Sequence, residues 1–354
     1  MSFRAKVSFK KSLSNALIIN NRNEQYQFKI VTRGQTDMEN PKTKAETKII
    51  PIKDCPRLKR FIEQAESYPA IPVAVINAEE SHVLQGMMEA RDLGLVEPVL
   101  IGKAEAIQSL CAQAGFDLHD TPVLNVDSEA EAVQTGIDLV KQGDALALAK
   151  GWIHTDALMH PVLAELRTAQ RISHVFVAEL PSYPKLLYIT DAAINIAPSL
   201  SIKAEIVQNA IDLVRLLGIE QPKVAALSAV EVVKPDIIST VDAACLSKMA
   251  ERGQIEHAII DGPLAFDNAI SAQAAEIKHI KSPVAGDVDI LLAPDLNAAN
   301  ILAKDLEYLA GATLAGVVIG AKVPILLPSR SDPPQARLVA AALTVLMHYG
   351  KNRG

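Results

Sequence analysis

Near its C-terminus the chain reads GAKVPILLPSRSDPPQAR, and Ser329, Arg330, Ser331 and Asp332 follow directly on an apolar run. A guanidinium offers a planar fork of donors that matches the oxygens of phosphate or carboxylate, and hydroxyls add more. Pro333 and Pro334 suit the first turn of a helix, whose free N–H groups favour an anion. The cluster reads as an oxyanion-binding loop; the plain alternative is a serine N-cap beside a solvated arginine. A second such place is ALALAKGWIHTDALMHP. There Lys150 closes an apolar run, Gly151 permits a tight turn, and Thr155 or Asp156 can cap the helix that follows. An ammonium beside a helix N-terminus also makes an anion site. The alternative is an ordinary loop with a surface lysine.

Three more segments place polar side chains after apolar runs. In LLYITDAAINIAPS these are Asp191 and Asn195, in a loop of small residues that allows close backbone approach to a ligand. An Asx turn is the structural alternative. AIIDGPLAFDNAIS offers Asp261, Asp267 and Asn268 around turn-forming Gly262 and Pro263. In SPVAGDVDILLAPDLNAANILAKDL, Asp295 suits an N-cap, and Asn300 faces either the same cleft or the core. GxGxxG, Walker A, HExxH and GxSxG patterns are absent. The eight histidines show no metal-ligand spacing, so no metal is expected. Cys55, Cys111 and Cys245 are scattered, with no CxxC, which argues against a disulfide framework.

These loops need a frame. Apolar runs at 71–77, 97–101, 145–150, 174–179, 186–189, 224–228, 258–261, 290–293, 316–319 and 324–327 read as strands covered on both faces. Helical periodicity falls between them at 57–65, 79–93, 104–114, 129–142, 240–252, 271–278 and 296–310. A longer helix ends at Gly218, with Ser199 and Ser201 able to cap it. Alternation of this kind predicts parallel strands and a two-lobed α/β protein that binds ligands at strand C-termini.

Composition agrees. With 49% hydrophobic and 21% charged residues in 354, the chain has the make-up of about two globular domains. The net charge of −6 is uneven. Residues 1–50 carry ten Lys/Arg and four Asp/Glu, leaving the body acidic, which argues against a nucleic-acid partner. No apolar stretch is long enough to span a membrane. Residues 1–50 read as a basic, poorly ordered extension. Met38 opens MENPKTKAETKIIPIKD like a natural polar start, with a transit peptide as the alternative.

KGWIHTDALM, ITDAAINIAP, NAIDLVRLLGI, LSAVEVV, IIDGPLAFDNAIS, SPVAGDVDILLAPDLNAANILAKDLEYLAGA and PILLPSRSD occur in that order over about residues 70–345. Together they resemble the phosphate acetyl/butyryl transferase family. The phrasing is especially similar to the transferase half of bifunctional enoyl-CoA hydratase/phosphate acetyltransferase proteins. No hydratase domain fits into residues 1–50, so that activity is not expected here. The resemblance implies the reaction CoA-SH + acyl phosphate ⇌ acyl-CoA + phosphate in a cytoplasmic homodimer, with CoA as substrate and no resident cofactor. It also implies a two-domain, three-layer α/β fold similar to isocitrate and isopropylmalate dehydrogenases, with the active site in the interdomain cleft. The first domain is then discontinuous, 51–185 plus 318–354, and the second is 186–317.

On this resemblance Ser329 and Arg330 hold the phosphate, Lys150 is a second phosphate or carbonyl contact, and Thr155 supports it. His154, Asp191, Asn195, Asp261, Asn268, Asp295 and Asn300 contribute to substrate binding. Acetyltransferase-patterned members carry an acid shortly after the Ser-Arg pair as base; the corresponding position here is Ala336. Asp332 is the nearest acid and the first choice of base, with His154 the alternative, since imidazole titrates in the right range. An acidic body that binds anionic CoA needs its positive charge gathered near Lys150 and Arg330. Two other readings stand beside this one: a metal- and NAD-dependent decarboxylating dehydrogenase of similar fold, and a non-catalytic binding protein.

Overall fold

The apolar runs do become strands, and they join one sheet. The computed structural model describes residues 55–328, 332 and 334–351, together with strand segments 17–20 and 27–30. Residues 1–46 form a unit separate from the rest. Within it β1 (Leu17–Asn20) and β2 (Gln27–Ile30) pair antiparallel. The remainder of the basic extension lies outside the described residues.

The body begins with α1 (Pro56–Ala65), β3 (Ile71–Ile76), α2 (Ser81–Asp92), β4 (Val96–Gly102), α3 (Ala104–Ala114) and β5 (Val123–Asn125). It continues through α4 (Glu129–Gln142), β6 (Ala147–Lys150), α5 (Thr155–Glu165), β7 (Ser173–Glu179) and β8 (Leu186–Thr190). Next come α6 (Leu200–Leu216), β9 (Lys223–Leu227), α7 (Ile238–Glu251), β10 (Ile259–Leu264), α8 (Phe266–Ile270) and α9 (Ala272–Ile277). The last elements are β11 (Ile290–Leu292), α10 (Leu296–Tyr308), β12 (Thr313–Ile319), β13 (Ile325–Leu326) and α11 (Pro334–Lys351). Helices α3 and α4 match their sequence-read bounds to the residue. The Ser128 hydroxyl accepts from Glu131 N to start α4, and left-handed Gly115 and Gly143 stop the two helices.

The sheet has eleven strands in the order β10-β9-β11-β8-β7-β12-β13-β6-β3-β4-β5. It is mixed, not parallel throughout. β10, β9, β11 and β8 form one parallel block, and β13, β6, β3, β4 and β5 another. Between them β7 and β12 pair antiparallel with each other, and each is antiparallel to its outer neighbour. The two blocks therefore run in opposite directions. The expectation of parallel strands fails here because an apolar run records burial, not direction.

Helices cover both faces. On one face the core is continuous: Val75, Ala149, Val317, Val175, Tyr188 and Val224 pack beneath α1, α2, α6, α7 and α11. On the other it is divided. Ile76, Leu148, Ile325 and Val318 pack with α4 and α5, while Phe176, Ile189, Leu291 and Leu314 pack with α10. Strand β12 supplies Leu314 to one cluster and Val318 to the other, so Gly316 falls on the seam.

One polar strut fixes α1 to the sheet. The buried Glu179 carboxylate, at the end of β7, accepts from the N–H groups of Arg57 and Leu58 at 3.0 and 2.9 Å. Those are orphan donors of the first turn of α1, favoured by a negative charge. Glu179→Ala is expected to lower stability in urea by about 2 kcal/mol, the scale of hydrogen bonds to a charged group, with kinetic constants unchanged.

Candidate functional site

Because the two blocks run in opposite directions, their C-terminal ends meet near mid-sheet. The pairing puts Lys150 level with Ile76, Gly316 with Phe176, and Phe176 with Ile189. Leu326 lies opposite both Ala149 and Val317, so Leu327 falls in the same row as Lys150 and Gly316. Thr190, the last residue of β8, is opposite Val175, one row away. Ends of strands from both blocks thus converge on the divided face, around the seam at Gly316.

Lys150 is 4% exposed, an ammonium on an otherwise apolar row. Its Nζ lies 3.4 Å from the Gly151 carbonyl. The turn after it needs glycine for space: a Cβ on Gly151 would stand 2.2 Å from the Asn77 carbonyl oxygen. Gly151 N donates to Ile76 O and Trp152 N to Asn77 O, both at 2.8 Å. Asn77 Nδ2 returns a 2.7 Å bond to Trp152 O, locking the loop over the end of β3. Helix α5 starts at Thr155, and its N-cap is His154, whose side chain makes no cap bond. The capping expected of Thr155 or Asp156 is displaced one residue back, because the backbone is still extended at His154. Both His154 and Asp156 are exposed.

Asp332 is 2% exposed. Its Oδ1 lies 3.8 Å from Lys304 Nζ of α10. Lys304 also donates to Glu307 at 2.7 Å. Burial opposes the charge on Lys304, but the Glu307 hydrogen bond and the Asp332 carboxylate outweigh it and hold its pKa above the usual lysine value. Arg337, in the first turns of α11, is buried and feels the charges of Asp332 and Glu80; burial nonetheless pulls its pKa below the usual value. Gly86 of α2 makes room for it, since a Cβ there would stand 2.7 Å from Arg337 Cβ. Ser329 and Arg330 lie outside the described residues.

The foot of α10 gathers a second polar group. Asp191 accepts from Ala193, Ile194 and Asn195 N–H groups and from Asn195 Nδ2, the last at 2.6 Å. This is the Asx-type arrangement, and it uses both carboxylate oxygens. Burial pushes the Asp191 carboxyl up, against those hydrogen bonds. Asn195 Nδ2 also reaches Ile172 O, tying the loop to the start of β7. Asp295 caps α10 by accepting from Ala298 N at 3.0 Å. Asn300 is exposed and donates to Ala192 O at 3.2 Å. Asn300 and Lys304 are one turn apart on α10, so this helix connects the Asp191 loop to Asp332.

Asp261 and Asn268 sit elsewhere. Asp261 is on edge strand β10, five strands from β12, or about 24 Å at ordinary strand spacing. Its Oδ1 accepts from Gly262 N, and Asn268 donates to Glu231 at 3.4 Å. Among the described residues, no three His, Cys, Asp or Glu side chains are gathered as for a metal ion.

Three residues of this region escaped the sequence reading: Lys304, Arg337 and His174. The two cations look like surface charges on helices. His174 is the one buried histidine of eight, fully shielded on β7 beside the seam. Desolvation alone pushes its pKa down to about 3. The sequence signal is limited to its place in HVFVAE, on the face of Phe176 in an otherwise apolar run; the glycine that makes room for it, Gly316, is brought opposite only by the pairing of β7 with β12. A histidine charged at about 6.5 when unfolded and neutral when folded makes the unfolded chain bind the extra proton between those values. Stability should therefore be fully present above pH of about 6.5 and fall as pH drops toward 3. Denaturant titrations of His174→Gln should show a shallower acid limb, by up to about 1.4 kcal/mol per pH unit.

The comparisons with known proteins fit this architecture. The family model described as phosphate acetyl/butaryl transferase matches residues 123–345. A phosphate acetyltransferase of Rickettsia felis is 46% identical over 297 residues, 82% of this chain and 85% of that protein. A phosphate butyryltransferase of Clostridium acetobutylicum is 37% identical over 294 residues, 82% and 98% of the two chains. A solved branched-chain phosphotransacylase from Enterococcus faecalis superposes with a TM-score of 0.70 at 30% identity, covering 79% of this chain and 99% of that one. The chain belongs to the phosphate acetyl/butyryl transferase family.

Proposed function

We propose that the chain is a phosphate acyltransferase that interconverts acyl-CoA plus phosphate and acyl phosphate plus CoA. CoA thiolate attacks the acyl phosphate directly. The observation that carries this reading is the 46% identity to an acetyltransferase over most of both chains. Identity to the butyryltransferase is lower, at 37%, which favours the acetyl group; a longer acyl preference is the second reading. A decarboxylating dehydrogenase would instead reduce NAD+ to NADH as it oxidises a 2-hydroxy acid in the presence of a divalent metal ion.

The chemistry assigns work to each group. A free thiol has a pKa of about 8.5, so CoA needs a base or nearby cations to become a thiolate. Asp332 takes the thiol proton, with His154 the alternative base. Lys304 beside Asp332 supports an ionised carboxylate there. Ser329 and Arg330 hold the phosphate, and buried Lys150 neutralises the acyl phosphate from the next strand end. Thr155, at the first turn of α5, contributes a donor. Asp191, Asn195, Asp295 and Asn300 order the foot of α10 and bound the substrate from that side. Asp261 and Asn268 stand where only a long ligand such as CoA would extend. CoA is a substrate, and no resident cofactor or metal is invoked.

We place the active site in a cleft between two lobes, 51–185 plus 318–354 and 186–317. The split of one sheet face into two apolar clusters supports this division. Ile196, Val232, Val233, Ile238 and Ile277 are all more than half exposed on the second lobe, which supports a homodimer formed there. Among the described residues no helix is long and apolar enough to cross a membrane.

Thioester absorbance from CoA with acetyl, propionyl and butyryl phosphates tests the reading. Turnover of at least one is expected, and NADH formation without any thioester would overturn it. Arg330→Ala is expected to lose about a hundredfold in turnover with a raised KM for phosphate. Asp332→Asn should lower kcat with KM nearly unchanged, and full activity in both variants would refute the assigned roles.

A further inference from the structure

Away from the seam, helix α6 borders a hollow on the continuous face of the sheet. The hollow lies between α6 and the helices α1 and α11, and its volume is about 660 Å³. Tyr68, Leu216 and Leu346 give it apolar walls. A narrower hollow of about 210 Å³ continues from it, lined by the buried side chains of Leu213, Ile319 and Met347. Asp212 and Leu216 line both, so the two form one groove, polar at the wide end and apolar at the narrow one. Gly350 sets how closely α11 approaches α6: a Cβ there would stand 2.6 Å from Leu216 Cδ1. The helix is pinned as well, because Asn209 Nδ2 donates to Arg171 O at 2.6 Å and to Ser173 Oγ at 2.9 Å.

Two opposite charges stand on the wall of the wide end. Asp212 and Arg215 are three residues apart on α6, a spacing at which Asp and Arg side chains pair. Here each is drawn away from the other. Asp212 Oδ1 accepts from Gln208 Nε2 at 2.9 Å, and Gln208 is anchored in turn by the Glu256 N–H at 2.8 Å. Arg215 Nε donates in the other direction, to Glu220 O at 3.2 Å. One carboxylate oxygen of Asp212 and both Nη groups of Arg215 are thus left without a hydrogen-bond partner among the described residues. Both residues are exposed, so a ligand in the groove can reach both charges.

We propose that this groove binds an apolar α-amino acid. Its carboxylate takes the Nη fork of Arg215, a bidentate match, and its ammonium donates to the free oxygen of Asp212. Its side chain enters the narrow end against Leu213, Leu216, Ile319 and Met347, where burial of apolar surface adds to the affinity. A carboxylate and an ammonium on one carbon complement an Arg and an Asp held one helical turn apart. A ligand with only one of these charges would meet a like charge beside its partner: a plain anion Asp212, a plain amine Arg215. The groove lies on the opposite face of the sheet from the seam, so this site is separate from the acyl-transfer site proposed above.

Isothermal titration calorimetry of the full chain with L-leucine, in the absence of CoA and acyl phosphate, tests the proposal. Saturable binding is expected, with a Kd of about 1 mM or tighter. Glycine, which lacks the side chain, should bind at least about tenfold more weakly. Isocaproate lacks only the ammonium and isoamylamine only the carboxylate, and each should lose about tenfold or more. Arg215→Gln and Asp212→Asn should each weaken leucine binding by about tenfold or more, with thermal midpoints unchanged because both residues are exposed. No saturable binding of leucine up to about 10 mM, equal affinity for isocaproate or isoamylamine, or full affinity in both variants would overturn the inference. Because no substrate is present, an inactive enzyme would remove the acyltransferase reading and leave this result standing.

Discussion

The antiparallel pairing of β7 with β12 is the constraint on which the rest depends. Seven residue pairs, from Thr313 with Glu179 to Ile319 with Ser173, hold it together. It joins two parallel blocks of opposite direction and lets each stop about halfway along the pair. Without that reversal, all strand C-termini would lie along one edge. With it, the ends of β6 and β13 arrive within a row of the end of β8. A sheet that is well packed on one face is thus left with a seam on the other.

Charge is placed sparingly along this seam. Lys150 and Asp332 are both nearly fully buried, so each depends on fixed partners in place of water. Helix α10 supplies part of that support. Asn300 and Lys304 reach from one helix face to the Asp191 loop and to Asp332, so the two polar groups share one rigid element. Hydrogen bonds within the Asp191 loop make it a scaffold, while the nearby cations favour anions. An acidic chain can in this way present a local positive field to CoA and acyl phosphate.

Much of the fold was legible because the governing signals are local. Caps and left-handed glycines bounded α3 and α4 to the residue, and aliphatic runs marked the long strands. Strand direction was not legible, since neither neighbour nor polarity is written in a run such as HVFVAE. The short β5 and the five-residue α8 were missed for a different reason: each is too brief to show a period. The polar residues at strand ends identified Lys150, Asp191, Asp295 and Asp332 as functional candidates. That reading did not reveal that Asp261 stands at the far edge of the sheet, because strand order is a property of the assembled fold. Lys304 and Arg337 were hidden by helical context, and His174 by the habit of discounting a lone histidine.

The central claim is that the converging strand ends form one acyl-transfer site. A crystal structure with CoA and phosphate bound tests it most directly. The account predicts phosphate against the Ser329–Arg330 loop and Lys150, with the CoA sulfur over the seam between Leu327 and Gly316. Both ligands bound on the continuous face, or along the edge at β10, would contradict it.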